Sequence, residues 1–459
     1  MKEKRMVAQT ATETPGATIS GGERLIAFLD RPLLTAVRIN WETVAWVVLI
    51  AVAFGLRIYD VGVRAMSHDE SLHALYSYYL YNEGRYEHNP MMHGPLLFHL
   101  DAIAYFLFGD NDATARLFPV LAGTAIIGMA WFFRRYIGRT GALLAAVLFT
   151  ISPSLLFHSR YIRDDIYIAL FLLIWIYGAF RYLDTRDKKW LTVITLGMVF
   201  GILAMEAHFI SGAILGVFFA GLALWQVIGH RVFYAGAPPF VGFWVWFAYH
   251  EQVVALRKQI ETLRTQGEAS AQAAADLAPQ LDPLVAQATQ YSRIGLAALG
   301  IGALIALVLL VVYVKRDHWR RLRVNPSLDL AVFMLTLVMP FTAPFGHLAF
   351  GWDAMAYATN QDMLRSFGLV LAATLLSATI AYCWFEMRAE DDPEARATLI
   401  DLGAWGRQMI LFWVIAILFF TTFLTNTKNG LATGIVGSLG YWLAQQEVKR
   451  GGQPLYYYL

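Results

Sequence analysis

Eleven stretches of this chain are so long and so apolar that only the interior of a lipid bilayer suits them as a solvent. Crossing about 30 Å of hydrocarbon takes about 20 helical residues, and in lipid every backbone N–H and C=O must find its partner within the spanning structure. Such runs lie near 41–59, 115–133, 141–158, 166–183, 190–209, 211–229, 232–249, 293–314, 328–350, 366–386 and 408–425. Of the 459 residues, 58% are hydrophobic and 15% charged, against about 25% charged in an ordinary soluble domain. The expected fold class is all-α, a multi-span transmembrane helical protein with about 11 spans.

The run 95–108 is shorter and carries His99 and Asp101, which suits a helix lying in the membrane interface rather than one crossing it. With that run left out, Arg134 to Arg139, Arg181 to Lys189, His230-Arg231, Lys315 to Arg323 and the Met387 to Arg407 loop all fall on one side with the N-terminus. The positive-inside rule makes that side cytoplasmic. Residues 1–40 carry Lys2, Lys4 and Arg5 but no short apolar core with a small-residue cleavage site, so they read as a retained cytoplasmic tail. The other side receives 60–114, the turn 159–165, 250–292, 351–365 and the C-terminal stretch.

Within 251–292, Val253, Leu256, Ile260 and Leu263 are spaced as a heptad seam that Leu277, Leu281, Leu284, Ala288 and Tyr291 resume after Gly267. An external helical hairpin is the simplest account. A solvated Ala/Gln-rich spacer is the alternative, because Pro279 and Pro283 interrupt the second arm. The chain ends in a polar segment that turns apolar at Leu459. That ending suggests either a truncated product or one half of a split protein whose C-terminal part a partner chain supplies.

A formal net charge of +2, with basic residues scattered in short clusters, excludes nucleic acid as a partner. The single cysteine, Cys383, sits in an apolar run. It allows no internal disulfide framework and no cysteine-based metal site, and it is expected to pack between helices.

Ionisable residues gather where the external segments leave the apolar runs. The first loop reads Met66-Ser-His68-Asp69-Glu70 and, further on, His88-Asn-Pro-Met-Met-His93-Gly94-Pro95. Adjacent acids at the headgroup layer can serve as a base, or they can cap the helix that follows. A second cluster, His158-Ser-Arg160-Tyr161-Ile-Arg163-Asp164-Asp165, can bind phosphate through its guanidinium forks while its carboxylates hold a metal ion or an acceptor. It can equally be an interfacial anchor. Glu206 and His208 form a third, near the end of a span, where charges are expensive and suggest function.

The order Asp69-Glu70, His93-Gly-Pro-Leu96, Tyr105 to Pro119, Ile151-Ser-Pro153 and Arg160-Tyr-Ile-Arg-Asp164 resembles the GT-C class of membrane glycosyltransferases. The branch it resembles is that of the protein O-mannosyltransferases and the lipid A aminoarabinose transferases. Within it, the flippase-activity-associated proteins of bacteria and archaea look most similar, over roughly residues 41–210. The resemblance implies two interfacial helices in the first external loop, near 70–84 and 95–108, over a cavity open to the outside. It implies a sugar donor carried on a polyprenyl phosphate, with Asp69 in the catalytic role, Glu70 beside it and Asp164 or Asp165 as the second acid. His93 stands where the family has the histidine of a His-Pro-Pro motif, and Gly94 replaces the first proline.

On this reading residues 41–250 form the catalytic-type membrane module, 251–292 the hairpin and 293–459 a C-terminal membrane module. A sugar phosphate already carries a good leaving group, so the reaction needs a base for the acceptor and positive charge for the departing phosphate. Asp69 is the expected base. His93, Arg160, Arg163 and a divalent metal ion would stabilise the phosphate, while Asp165, Glu206, His208 and His68 are further candidate contacts to substrate or metal. The competing classes are a lipid-sugar transporter and a non-catalytic scaffold. A transporter is expected to show broken helices in two repeated halves, and no such repeat is visible.

Overall fold

The computed structural model describes residues 41–267, 271–387 and 399–445. The expected tail 1–40, most of the basic 387–407 loop and the final residues 446–459 lie outside the described residues. Among the described residues there is no strand, and the chain is an all-α membrane protein.

In chain order the helices are α1 (Trp41–Ile58), α2 (His68–Glu83), α3 (Leu96–Phe108), α4 (Leu117–Ile151), α5 (Pro153–His158), α6 (Asp165–Thr185), α7 (Lys189–Ala204), α8 (His208–Ile228), α9 (Arg231–Gly267), α10 (Ala271–Tyr313), α11 (Arg316–Arg323), α12 (Pro326–Val338), α13 (Ala343–Ala349), α14 (Asn360–Ala381), α15 (Leu402–Phe420), α16 (Thr427–Leu431) and α17 (Ser438–Ala444). A single α-helical turn at Asp112–Ala115, short 3-10 turns at Pro90–Met92 and Met339–Thr342 and π-helical turns at Tyr382–Glu386 and Ala432–Gly437 complete the path.

Eight helical segments among the described residues are long and apolar enough to cross a membrane, fewer than the eleven runs of the sequence. Two of those runs fall within α4, where Gly138 breaks the helix at φ 77°, ψ 165°. The chain reverses there. Arg134 and Arg139 both reach Glu42 at the start of α1, whereas Phe149 accepts a hydrogen bond from Arg57 near its end. Another run gives α7, which has 16 residues. The run 232–249 begins α9, whose Pro238, Pro239 and interspersed Gly and Trp dilute its apolar character.

Ala53, Ile127, Ala130, Ala142 and Ala146 let α1 lie against both halves of α4. The larger core forms where α6, α7, α8, α12 and α15 meet, around Trp175, Phe333, Phe341 and Phe412. Two indoles there find acceptors: Trp413 donates to the Leu337 carbonyl at 3.1 Å and Trp405 to Thr336 Oγ1 at 3.0 Å. Each such bond spares an unsatisfied group in a medium with no water. Cys383 is exposed on the π-helical turn, which corrects the expectation that it packs between helices. The longer period of that turn rotates it off the buried face.

Both helices of the first loop form as expected. Ser67 caps α2 through a reciprocal box with Glu70, the arrangement that satisfies two orphan donors at once. Against α2 lies α3, burying Leu97, Phe98 and Ala104 and exposing Ile103, Phe106, Leu107 and Phe108 on its other side. The basic segments at 134–139 and 181–189 are joined to each other by the Arg135–Asp184 ion pair, and the second is joined to the start of α15 by Lys188–Asp401. They lie at the end of the bundle opposite to the first loop.

Helices α9 and α10 form an antiparallel hairpin of 37 and 43 residues. At 1.5 Å per residue each arm is about 55–65 Å long, roughly twice the hydrocarbon thickness. Val253, Ile260 and Ala288 are buried, and Leu256, Leu263, Leu281, Leu284 and Tyr291 are half-buried, while most of their neighbours are exposed. The seam is thus the one the heptad spacing predicts; the side chain of Leu277 lies outside the described residues. The second arm runs unbroken through Pro279 and Pro283. Contact along the seam offsets the hydrogen bonds that the prolines remove. Replacing Val253 and Ile260 together by Asp should open the hairpin by placing unpaired carboxylates in its seam. Trypsin cleavage at Arg257 is then expected to quicken by about tenfold or more, with the melting temperature of the bundle unchanged.

Candidate active site

The first loop is fastened to the bundle by one carboxylate. Glu70, fully buried, accepts from Arg64 at 2.8 Å, from Arg116 Nε and Nη2 at 2.9 and 3.2 Å, from the Ser67 N–H at 3.1 Å and from the Ile162 N–H at 3.3 Å. Arg116 is itself fully buried and also donates to the Val61 and Arg64 carbonyls. Burial alone would raise the Glu70 carboxyl, but the Arg116 guanidinium and the two backbone N–H groups hold it below its ordinary value of 4.5. Of the paired acids, Glu70 is therefore the structural one.

Asp69 faces the other way, into a cavity of about 280 Å³ that it lines with His73, His93, Arg163, Tyr441 and Trp442. Its carboxylate meets Arg163 at 3.2 Å. Arg163 turns its Nε towards Asp165 at 3.4 Å, and Asp165 lies 3.9 Å from His158. His73 donates from Nδ1 to the Asp69 carbonyl at 2.7 Å. Burial first, then the nearby His93 and Arg163 charges, push the His73 imidazole below its ordinary range, against the pull of that hydrogen bond.

His93 is held from two sides. Its Nδ1 lies 3.1 Å from Glu206 and its ring stacks on Trp442 at 5.1 Å and 3°. The backbone of His93 sits at φ 65°, ψ −156°, a region that side chains avoid and that concentrates at functional sites. Gly94 explains how the chain tolerates the next step: its N–H reaches the Ala204 carbonyl at 3.1 Å, and an added Cβ would lie 2.0 Å from the Leu203 carbonyl oxygen. The lack of a side chain at Gly94 is what lets this loop press against the end of α7.

The remaining expected residues lie around this cavity without lining it. Asp164 is fully buried behind His73, 4.0 Å from its Nε2. Burial, helped by Glu206 and Asp165 and opposed by Arg163, pushes the Asp164 carboxyl well above the usual range. Arg160 caps the end of α1 by donating to the Leu56 and Tyr59 carbonyls, which turns it away from the cavity. His68 is exposed and outside it, and His208 is buried against Trp175.

The divalent ion has no ready-made cage here. Asp69 is the one carboxylate on the cavity wall, and among the described residues no group of three or more His, Cys, Asp or Glu could hold a metal ion. Magnesium is commonly held by one or two carboxylates, with water and substrate phosphates completing its octahedron.

Residues 64–258 match the sequence model of the dolichyl-phosphate-mannose-protein mannosyltransferase family. No curated protein and no solved structure matches the chain. The matched stretch is less than half of the chain, yet it contains Asp69, His93, Arg163 and Glu206. Over that stretch this membrane protein is similar to glycosyltransferases.

Sequence reasoning passed over six residues in and around the site. Arg116 was visible as an arginine at the head of a long apolar run, the kind of charge that demands a partner. Tyr441 and Trp442 carried no signal, because nothing local ties them to a cavity formed by the first loop. Asp101 and the phenols of Tyr86 and Tyr167, all buried and without a hydrogen-bond partner, stand behind Asp164; Asp101 had served only to mark α3 as interfacial. Removing the Glu70 charge tests the fastening. Glu70→Gln leaves Arg116 buried without its counter-charge, and a loss of about 3–5 kcal/mol of stability is expected. Because the native carboxyl is held low, wild-type stability from this pair is complete above pH 4.5 and is lost as the pH falls through the depressed native value. Melting curves of the Gln variant should show a flatter acid limb.

Proposed function

We propose that the protein is a membrane glycosyltransferase that moves a sugar from a polyprenyl-phosphate donor to an acceptor on the outer face of the membrane. On this reading it is akin to the flippase-activity-associated proteins of the O-mannosyltransferase branch, and mannose is the first sugar to test, given the family match. The observation that carries the proposal is the cavity itself: one accessible carboxylate, Asp69, faces a guanidinium, Arg163, and two imidazoles, His73 and His93.

In this reaction the acceptor hydroxyl gives its proton to the Asp69 carboxylate while its oxygen bonds to the anomeric carbon. The bond from that carbon to the phosphate oxygen breaks, and its electron pair leaves with the polyprenyl phosphate. Arg163 offers the charge-assisted fork suited to a phosphate, and His93, tied to Glu206, offers its Nε2 edge. A fixed set of donors at the site of developing charge lowers the barrier without reorganising. Arg163 is already shared between Asp69 and Asp165, so an arriving phosphate would draw it off Asp69 and free the base. The gathering of basic segments at the far end of the bundle supports an outward-facing site by the positive-inside rule.

The test is transfer of radiolabelled mannose from a polyprenyl-phosphate donor by the purified full chain. Asp69→Asn is expected to lower kcat by about 10²-fold or more, the usual loss of a general base, with the donor KM little changed. Arg163→Ala should instead raise the donor KM. Wild-type transfer undiminished by Asp69→Asn would remove Asp69 from the mechanism, and no transfer from any polyprenyl-phosphate sugar would overturn the assignment.

A further inference from the structure

The cavity is walled on one side by a part of the chain that the family match does not reach. Trp442 lies on α17, well beyond residue 258, yet its ring is parallel to that of His93 to within 3°. This is not a lone touch. His88 Nδ1 meets Thr433 Oγ1 at 3.0 Å, Gly437 sits so close that an added Cβ would be 3.2 Å from Pro90 Cγ, and then comes the stack on His93. Three successive contacts therefore run in step along residues 88–93 and 433–442. The π-helical turn Ala432–Gly437 falls within this strip. Such turns shift the register of the side chains after them and recur at functional sites.

We propose that Trp442 is a positioning residue for His93: its indole holds the imidazole plane against Glu206 so that the free edge meets the donor phosphate. The proposal rests on the transferase reading given above. His93 needs such support because its backbone is in a conformation that its own residue type disfavours, and Glu206 constrains the ring at one nitrogen only. A face-on aromatic neighbour removes the remaining rotation about that hydrogen bond. The segment containing α16 and α17 thereby completes a site whose reacting groups all come from the family-like part.

The experiment is a double-mutant cycle on binding of a sugar-free polyprenyl phosphate to the full-length protein in nanodiscs, comparing wild type, Trp442→Phe, Trp442→Ala, His93→Ala and the Trp442→Ala/His93→Ala pair. Trp442→Ala is expected to raise Kd by about three- to tenfold, the scale of a lost aromatic stack. Trp442→Phe, which keeps a stacking ring, should recover most of that loss. In the His93→Ala background, Trp442→Ala should have almost no further effect, since the ring it positions is gone. An equal loss in both backgrounds, or no loss in either, overturns the proposal while leaving the transferase reading intact. A wild-type protein that binds no polyprenyl phosphate overturns both.

Discussion

The ion pair between Glu70 and Arg116 is the constraint on which the site depends. Both groups are fully buried, and neither could remain charged there alone. Their union fixes the first turn of α2 to the head of α4. Through the Ile162 N–H it also ties in the segment before α6, and through Arg64 the end of the loop after α1. Four stretches distant in sequence are thus held at one carboxylate. Asp69 is its chain neighbour, so it inherits a fixed position and points the opposite way around the helix, into the cavity.

The two adjacent acids are set apart by what surrounds them. One gives up all reactivity to anchor the loop, surrounded by donors on every lone pair. The other keeps a single ionic contact, to Arg163, and stays half-exposed. Asp164 shows a third outcome for the same side chain. Burial without a close cationic partner pushes its carboxyl above the usual range, and it lies behind His73, off the cavity wall. Environment, more than residue type, assigns each carboxylate its role.

The cavity also joins two halves of the protein with different origins of order. The residues that resemble known transferases bring the acid, the guanidinium and the imidazoles, whereas α17 brings the aromatic wall. The hairpin of α9 and α10 stands between these halves in the chain but packs chiefly on itself. It can therefore extend beyond the bilayer without disturbing the bundle or the site.

Hydropathy alone determined that the chain is a helical membrane protein, because a bilayer imposes one length and one polarity on whatever crosses it. The same local physics made the interfacial helices, the hairpin seam and the capping of α2 legible, since each follows from spacing within a single segment. It could not tell Asp69 from Glu70, nor show that Arg160 caps α1 while Arg163 reaches the cavity, because neighbouring residues on a turn differ only in which direction they face. That direction is settled by partners such as Arg116, Tyr59 and Trp442, which lie far away in sequence. Only the tertiary structure brings them within hydrogen-bonding or stacking distance, so only it decides which charges are buried and paired and which remain free to react.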